Sequence, residues 1–205
     1  NEDPYAINPT DRRSGPDGPD SFRPAWDADF EQWTGPFIMA NVDTRVVRRS
    51  NALLDHAYGA DFCYDEAMLM GSGPVGFAKA TGLATALRVG MAAMTIGPLR
   101  RAAAARMPAP GAGPSKQARE TGYWDVRLLA EHPSDPSNNL RARLTGDRDP
   151  GYGSTAKMLA ESAICLARDP LASRGGLHTP ASAMGDALLE RLLQNAGVTA
   201  EIEDG

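Results

Sequence analysis

Gly71-Ser72-Gly73-Pro74-Val75-Gly76 has the G-x-G-x-x-G spacing of a dinucleotide-binding turn. In such a turn the glycines let backbone approach a pyrophosphate, and the next helix points unpaired N–H groups at it. The flanks argue against that use. A working turn follows a buried apolar strand, whereas the segment before Gly71 carries Asp65 and Glu66. Pro74 removes a backbone donor where phosphates need one. No Asp or Glu occurs from Ala67 to Arg119, so the acid that would hold a ribose hydroxyl is missing, with only Arg88 or Arg100 on offer for a 2′-phosphate. The hexad is expected to be a glycine hinge before helices, and no cofactor is expected to bind there.

Three other constellations carry candidate chemistry. Asn41, Arg45 and Arg48 share one stripe of a predicted helix. The planar arginine fork suits a phosphate or carboxylate, so the stripe reads as substrate-binding. The alternative is a solvated face with Asp43 or Asp55 as partner. Tyr64 and Glu66 alternate onto one face of a short predicted strand and read as a proton-donating pair, or as packing on a half-buried strand. Tyr152 and Lys157 are the residue types of a reductase pair in which an ammonium lowers a phenol's pKa. At i, i+5 across a helix start they need not meet. His56, His132 and His178 share no ligand spacing with one another or with Cys63 and Cys165, so no metal site is expected. Nothing of the form G-x-S-x-G supports acyl transfer.

The elements that must position these residues read as α+β, an antiparallel sheet packed by helices. Residues 1–33 form a Pro/Gly/Asp-rich strap, to be pinned by Trp26, Phe30 and Trp33. A helix runs from a Thr34 cap to a Gly59 stop, with Ile38, Val42, Val46 and Leu53 on its apolar face, and Phe62 to Met68 follow as a strand. Residues 72–106 form an apolar helical pair broken near Gly97-Pro98. Lys79 and Arg88 interrupt its apolar run, which argues against a membrane span and for a lid over a greasy ligand. Phe77, Met91 and Met94 are the lid's substrate-facing candidates, and a helix lying on a membrane or partner is the other use. After a loop come a hairpin over 123–147, a helix from Ser154 to just before Pro170, a helix capped by Thr179 and ended by Gly197, and a strand from Val198 to Ile202. The division expected is strap 1–33, substrate-binding and dimerisation domain 34–150, and C-terminal helix–strand unit 151–205.

Composition sets the outer limits. A chain of 205 residues with 42% hydrophobic residues and a net charge of −5 is long enough for a real core and too acidic to have nucleic acid as its main partner. Two cysteines and no visible leader point to a reducing, cytoplasmic setting, with peripheral membrane contact through 77–106 as an addition.

The segment "GDRDPGYGSTAKMLAESAICLARDPLASRGGLHTPASAMGDALLERLLQNAGVTAEIED" resembles the C-terminal end of saccharopine dehydrogenase-like oxidoreductases, in particular the trans-acting enoyl reductase group. "FIMANVDTRVVRRSNALL", "YGADFCYDEAM" and "PAPGAGPSKQARETGYWDVR" are similar to the middle of the same proteins, in the same order. The resemblance covers the chain from about Tyr5 and includes no catalytic signature. It implies an N-terminal Rossmann half that binds NADP(H), which this chain lacks, and an α+β half that supplies the substrate pocket and the contacts of a homodimer. It further implies a lipid-like, polyketide-type substrate and a C-terminal helix that packs back on the Rossmann half. A second reading is a stand-alone module for acyl or lipid-surface binding, or for oligomerisation.

Overall fold

The computed structural model describes residues 3–106 and 112–203 and divides into two compact units, Asn1–Met107 and Pro108–Gly205. Each holds a three-stranded antiparallel sheet with helices, so the class is α+β with two small sheets. The division falls before the hairpin of residues 123–146, not after it. The C-terminal strand pairs with that hairpin and draws it into one unit with the last helices.

In the first unit β1 (Ala25–Asp27) turns into β2 (Gln32–Pro36), and the Asp27 carboxylate accepts from the amides of Asp29 and Phe30 to close the turn. β2 also pairs with β3 (Ala67–Leu69), and the ladder runs on as the Met70 amide donates to Trp33 and the Trp33 amide donates to Gly71. Thr34 and Pro36 therefore lie in a strand. The helix expected from Thr34 begins instead at Ala40 and ends at Leu53 (α1), because Trp33 and Thr34 find ladder partners on both sides. The strand expected from Phe62 is shortened to three residues. Upstream, the amide and carbonyl of Tyr64 are bound by Asp17 and Arg48, which leaves that backbone no ladder to join.

α2 (Gly73–Thr95) lies against β2 through the small residues Gly76, Ala80 and Ala84. Gly35 on β2 faces Leu83, Met70 and Ala80, which a Cβ there would meet at ordinary contact distances of 3.4–3.5 Å. After Ile96, whose backbone is extended, α3 (Gly97–Ala104) leaves at 111° to α2, with Pro98 in its first turn. The break falls where Gly97-Pro98 predicts it.

The second unit opens with a turn and a half of helix, α4 (Lys116–Thr121), inside the expected loop; Ser115 caps it by accepting from the Ala118 amide. β4 (Trp124–Ala130), β5 (Leu140–Gly146) and β6 (Val198–Glu203) form its sheet. The register Val126↔Leu144↔Ala200 and Leu128↔Ala142↔Ile202 puts the apolar residues of all three strands on one face. α5 (Gly153–Arg168) is capped by Asp149, whose carboxylate accepts from the amides of Gly151, Tyr152 and Gly153, and not by Ser154. Ser154 is fully buried and accepts from the Trp124 indole at 2.8 Å. α6 (Pro180–Asn195) starts in a reciprocal capping box between Thr179 and Ser182, and Gly197 follows its end at φ +70°. Cys165, Met184 and Leu188 form the core between α5 and α6. Arg191 joins Asp169 at 2.8 Å and Glu161 at 3.2 Å beside it. That guanidinium holds the Asp169 carboxyl down at about 2.

Candidate active site around Tyr64 and Glu66

α1 turns Thr44, Arg45 and Arg48 inward, and all three are buried, Arg48 to 4% exposure. A buried guanidinium must be paired. The strap supplies the charges: Arg48 Nε donates to Asp17 at 2.8 Å and Arg45 Nη1 to Asp20 at 2.9 Å, while the Thr44 hydroxyl lies 3.1 Å from Asp20. Tyr5 lies under Arg48, 5.9 Å from guanidinium to ring centroid. Its hydroxyl accepts from the Asp17 amide, and burial raises its pKa. The strap is thus pinned by Tyr5, Asp17 and Asp20, while Trp26 and Trp33 pack edge-to-face within the β1–β2 hairpin. The expected Asn41, Arg45 and Arg48 stripe does not open onto a cleft as one array. Asn41 is exposed and its carbonyl accepts from Arg45, and a ligand would reach the two arginines only by displacing the strap.

The same network fixes Tyr64. Its amide donates to Asp17 Oδ1 at 3.1 Å and its carbonyl accepts from Arg48 Nη2 at 2.7 Å, so Asp17 and Arg48 together clamp one peptide. Phe62 stacks on the Tyr64 ring with centroids 6.1 Å apart. The Tyr64 hydroxyl donates to Glu66 Oε1 at 2.9 Å, so the two expected partners do meet on one face. Both are half-buried. Desolvation, then the negative charge of Glu66, pushes the Tyr64 hydroxyl far above the usual phenol range. Desolvation also raises the Glu66 carboxyl, aided by Asp43, Asp20 and Asp65, while the hydrogen bond from Tyr64 opposes the rise. Asp43 is itself raised by burial. Burial thus favours the uncharged form of both groups, and the hydrogen bond from the Tyr64 hydroxyl fixes the orientation of the Glu66 carboxyl.

The other candidates are spread out. Phe77 packs edge-to-face on Trp33 with centroids 4.8 Å apart. Met91 and Met94 lie exposed on the far half of α2, beyond the stretch packed on β2. In the second unit Lys157 holds Asp147 at 2.9 and 3.0 Å. Tyr152 is exposed and precedes α5, and among the described residues no hydrogen bond joins it to Lys157. A cleft of about 230 Å³ in this unit is lined by Tyr123, Trp124, Arg143, Thr145, Asp147 and Thr199. Its Arg143 already grips Asp125 in a bidentate pair at 2.7 and 3.0 Å. Among the described residues no group of three or more His, Cys, Asp or Glu is placed to hold a metal.

The glycine hexad follows an exposed three-residue edge strand that runs antiparallel to its neighbour. Gly71 and Gly73 take φ of +92° and +64°, and a Cβ on Gly76 would come within 2.0 Å of the Gly71 carbonyl oxygen. That close approach is the packing a third glycine permits, but the strand before the turn is an exposed antiparallel edge strand and not the buried parallel strand that such a cofactor turn follows.

Asp17 and Asp20 escape sequence reasoning because a Pro/Gly/Asp-rich stretch has the composition of a solvated linker. The usable signal is the Arg45–Arg48 pair three residues apart on a helix with apolar neighbours, which demands acids from elsewhere.

Comparison with known proteins bears on this geometry. The chain is 45% identical over 175 residues to a candidate trans-acting enoyl reductase of Mycobacterium tuberculosis, covering 82% of this chain and 41% of that protein. It is 40% identical over 211 residues to a trans-acting enoyl reductase of Mycobacterium ulcerans, covering 97% of this chain and 49% of the relative. The trans-acting enoyl reductase of Mycobacterium bovis is 40% identical over 209 residues, 96% of this chain and 49% of its own length. The chain spans about half the length of these curated relatives. No family model and no solved structure matches it.

Proposed function

We propose that the chain is the substrate-side half of an NADP-dependent enoyl reductase of the saccharopine dehydrogenase-like type, acting on lipid or polyketide-like acyl substrates. The observation that carries this reading is the Tyr64–Glu66 pair, a half-buried carboxyl raised by its surroundings, in a chain 40–45% identical to proteins named trans-acting enoyl reductases. Reducing an enoyl double bond takes a hydride and a proton. The hydride chemistry of a nicotinamide belongs, in this reading, to a cofactor-binding half outside this chain, because the glycine turn here follows an exposed antiparallel edge strand and no buried parallel one. The proton falls to this chain: neutral Glu66 delivers it, and the Tyr64 hydroxyl holds the carboxylate left behind. The apolar face of the β4–β5–β6 sheet is the contact for a second copy. The absence of Asp and Glu from Ala67 to Arg119 and the methionines of α2 suit an acyl chain.

The test is the pH profile of NADPH oxidation by an enoyl thioester, with this chain supplied together with the cofactor-binding half. A proton donor with a raised pKa gives activity that falls as pH rises through that pKa. Glu66→Gln is expected to remove the falling limb and lower the rate by ~10²-fold or more. Tyr64→Phe removes the one hydrogen bond that favours the carboxylate, and should move the limb to higher pH. An unchanged profile in Glu66→Gln would overturn the assignment of the proton, and tight NADPH binding by the chain alone would overturn the division of labour.

A further inference from the structure

The apolar stripe of α2 does not end where its packing ends. Gly76, Ala80 and Ala84 are its buried residues, and Leu87, Met91 and Met94 continue the same line with no buried residue from Thr85 to Arg106. Around the rest of the axis the helix is equally apolar, with Val89 62% exposed, and Ile96 and Leu99 stand exposed at the bend into α3. Between Ala80 and Leu99 the only charge is Arg88. Of its exposed threonines, Thr85 donates inward to the Thr81 carbonyl at 2.8 Å and Thr95 to the Ala92 carbonyl at 2.7 Å. A helix that docks one face on a protein keeps a polar back for water, and this one has none.

The charges that do occur are of one sign. Lys79, Arg88, Arg100, Arg101 and Arg106 border the apolar stretch, and no Asp or Glu occurs from Ala67 to Arg119 to neutralise them. Among the described residues no single helix is long and apolar enough to cross a membrane; α2 and α3 reach that length and apolarity only as a pair bent by 111°. A bent pair with an apolar tip at Ile96–Leu99 and arginines immediately behind it has the shape of a wedge. A wedge of that shape suits the headgroup layer without spanning it, with guanidinium groups on apolar stems that can reach back to lipid phosphates.

We propose that the far half of α2 and all of α3 seat this chain on an anionic lipid surface. The proposal does not rest on the reductase reading. It is tested by flotation of the chain with vesicles of phosphatidylcholine alone and of phosphatidylcholine mixed with phosphatidylglycerol. The chain is expected to float with the mixed vesicles and to partition about tenfold less onto phosphatidylcholine alone or in high salt. Arg88→Glu, Arg100→Glu and Arg101→Glu together should lose about tenfold on the mixed vesicles. Ile96→Asp with Leu99→Asp should abolish binding to both. All five side chains are exposed, so the variants are expected to keep their helices, which circular dichroism checks. No flotation with the mixed vesicles overturns the proposal, as does flotation unaffected by either set. A dimer seen by light scattering that Ile96→Asp with Leu99→Asp splits, without vesicle binding, assigns the wedge to a second copy and overturns it too.

Discussion

Asp17 accepts hydrogen bonds from the side chain of Arg48 and the amide of Tyr64, and its second oxygen also accepts from the Tyr5 hydroxyl. One carboxylate thereby ties the strap, α1 and the candidate site. Removing either member of a buried pair strands the other without compensation, a larger loss than the net worth of the pair. Arg48→Ala is expected to destabilise the first unit by about 3–5 kcal/mol. It should also release the strap, read as a lower urea midpoint and faster amide exchange at Tyr64. Arg48→Lys would restore charge without the second donor that reaches the Tyr64 carbonyl, so it should recover only part of the loss. At this scale the sequence makes Tyr64 and Glu66 readable, because alternation alone brings them to one side of an extended segment. It does not reveal Asp17 or Asp20, since a long-range ion pair leaves no periodic trace.

At the scale of elements, helix and strand types follow the hydrophobic period, and starts follow hydrogen-bond competition that a window of sequence does not contain. The hairpin 124–146 and the Thr179 cap obey local rules and are found where predicted. The helix start at Ala40 depends on β3, which lies some thirty residues later. The turn before α2 is the sharpest local constraint. With the Gly71 carbonyl 2.0 Å from where a Cβ on Gly76 would stand, Gly76→Ala must push apart the turn and the first turn of α2. A cost of about 1–3 kcal/mol in denaturant unfolding is expected. Gly82→Ala in the same helix meets nothing within 4 Å and should stabilise by up to about 1 kcal/mol, so the pair of variants separates close approach from helix propensity.

At the scale of the whole molecule, the apolar surface left exposed includes the wedge of α2–α3 and one face of the second unit's sheet. On that face Val126, Leu128 and Leu140 are exposed and Ile202 is 72% so. Solitary exposed aliphatics need no explanation, but four on a three-stranded face form a patch of the kind that marks interaction sites, and it is the surface proposed above for a second copy. Val126→Asp with Ile202→Asp is expected to leave far-ultraviolet circular dichroism unchanged and to convert a dimer in light scattering to a monomer. A mass unaffected by the double substitution removes the sheet face as the dimer contact. The β alternation of this face is plain in the sequence, yet its exposure is not, because alternation reports which side is apolar and not what lies against it.

The strap has the composition of a spacer and the connectivity of a keystone. Were the chain cut after Asp20, α1 would keep two buried guanidinium groups and lose both acids that balance them, together with the Tyr5 ring beneath one of them. What remained would not be a shorter version of the same unit but an interior with two uncompensated positive charges. It could relieve them only by admitting water or by turning α1 outward. Residues 3–20 are therefore part of the fold and cannot be trimmed for convenience. They are the counter-ions of the fold.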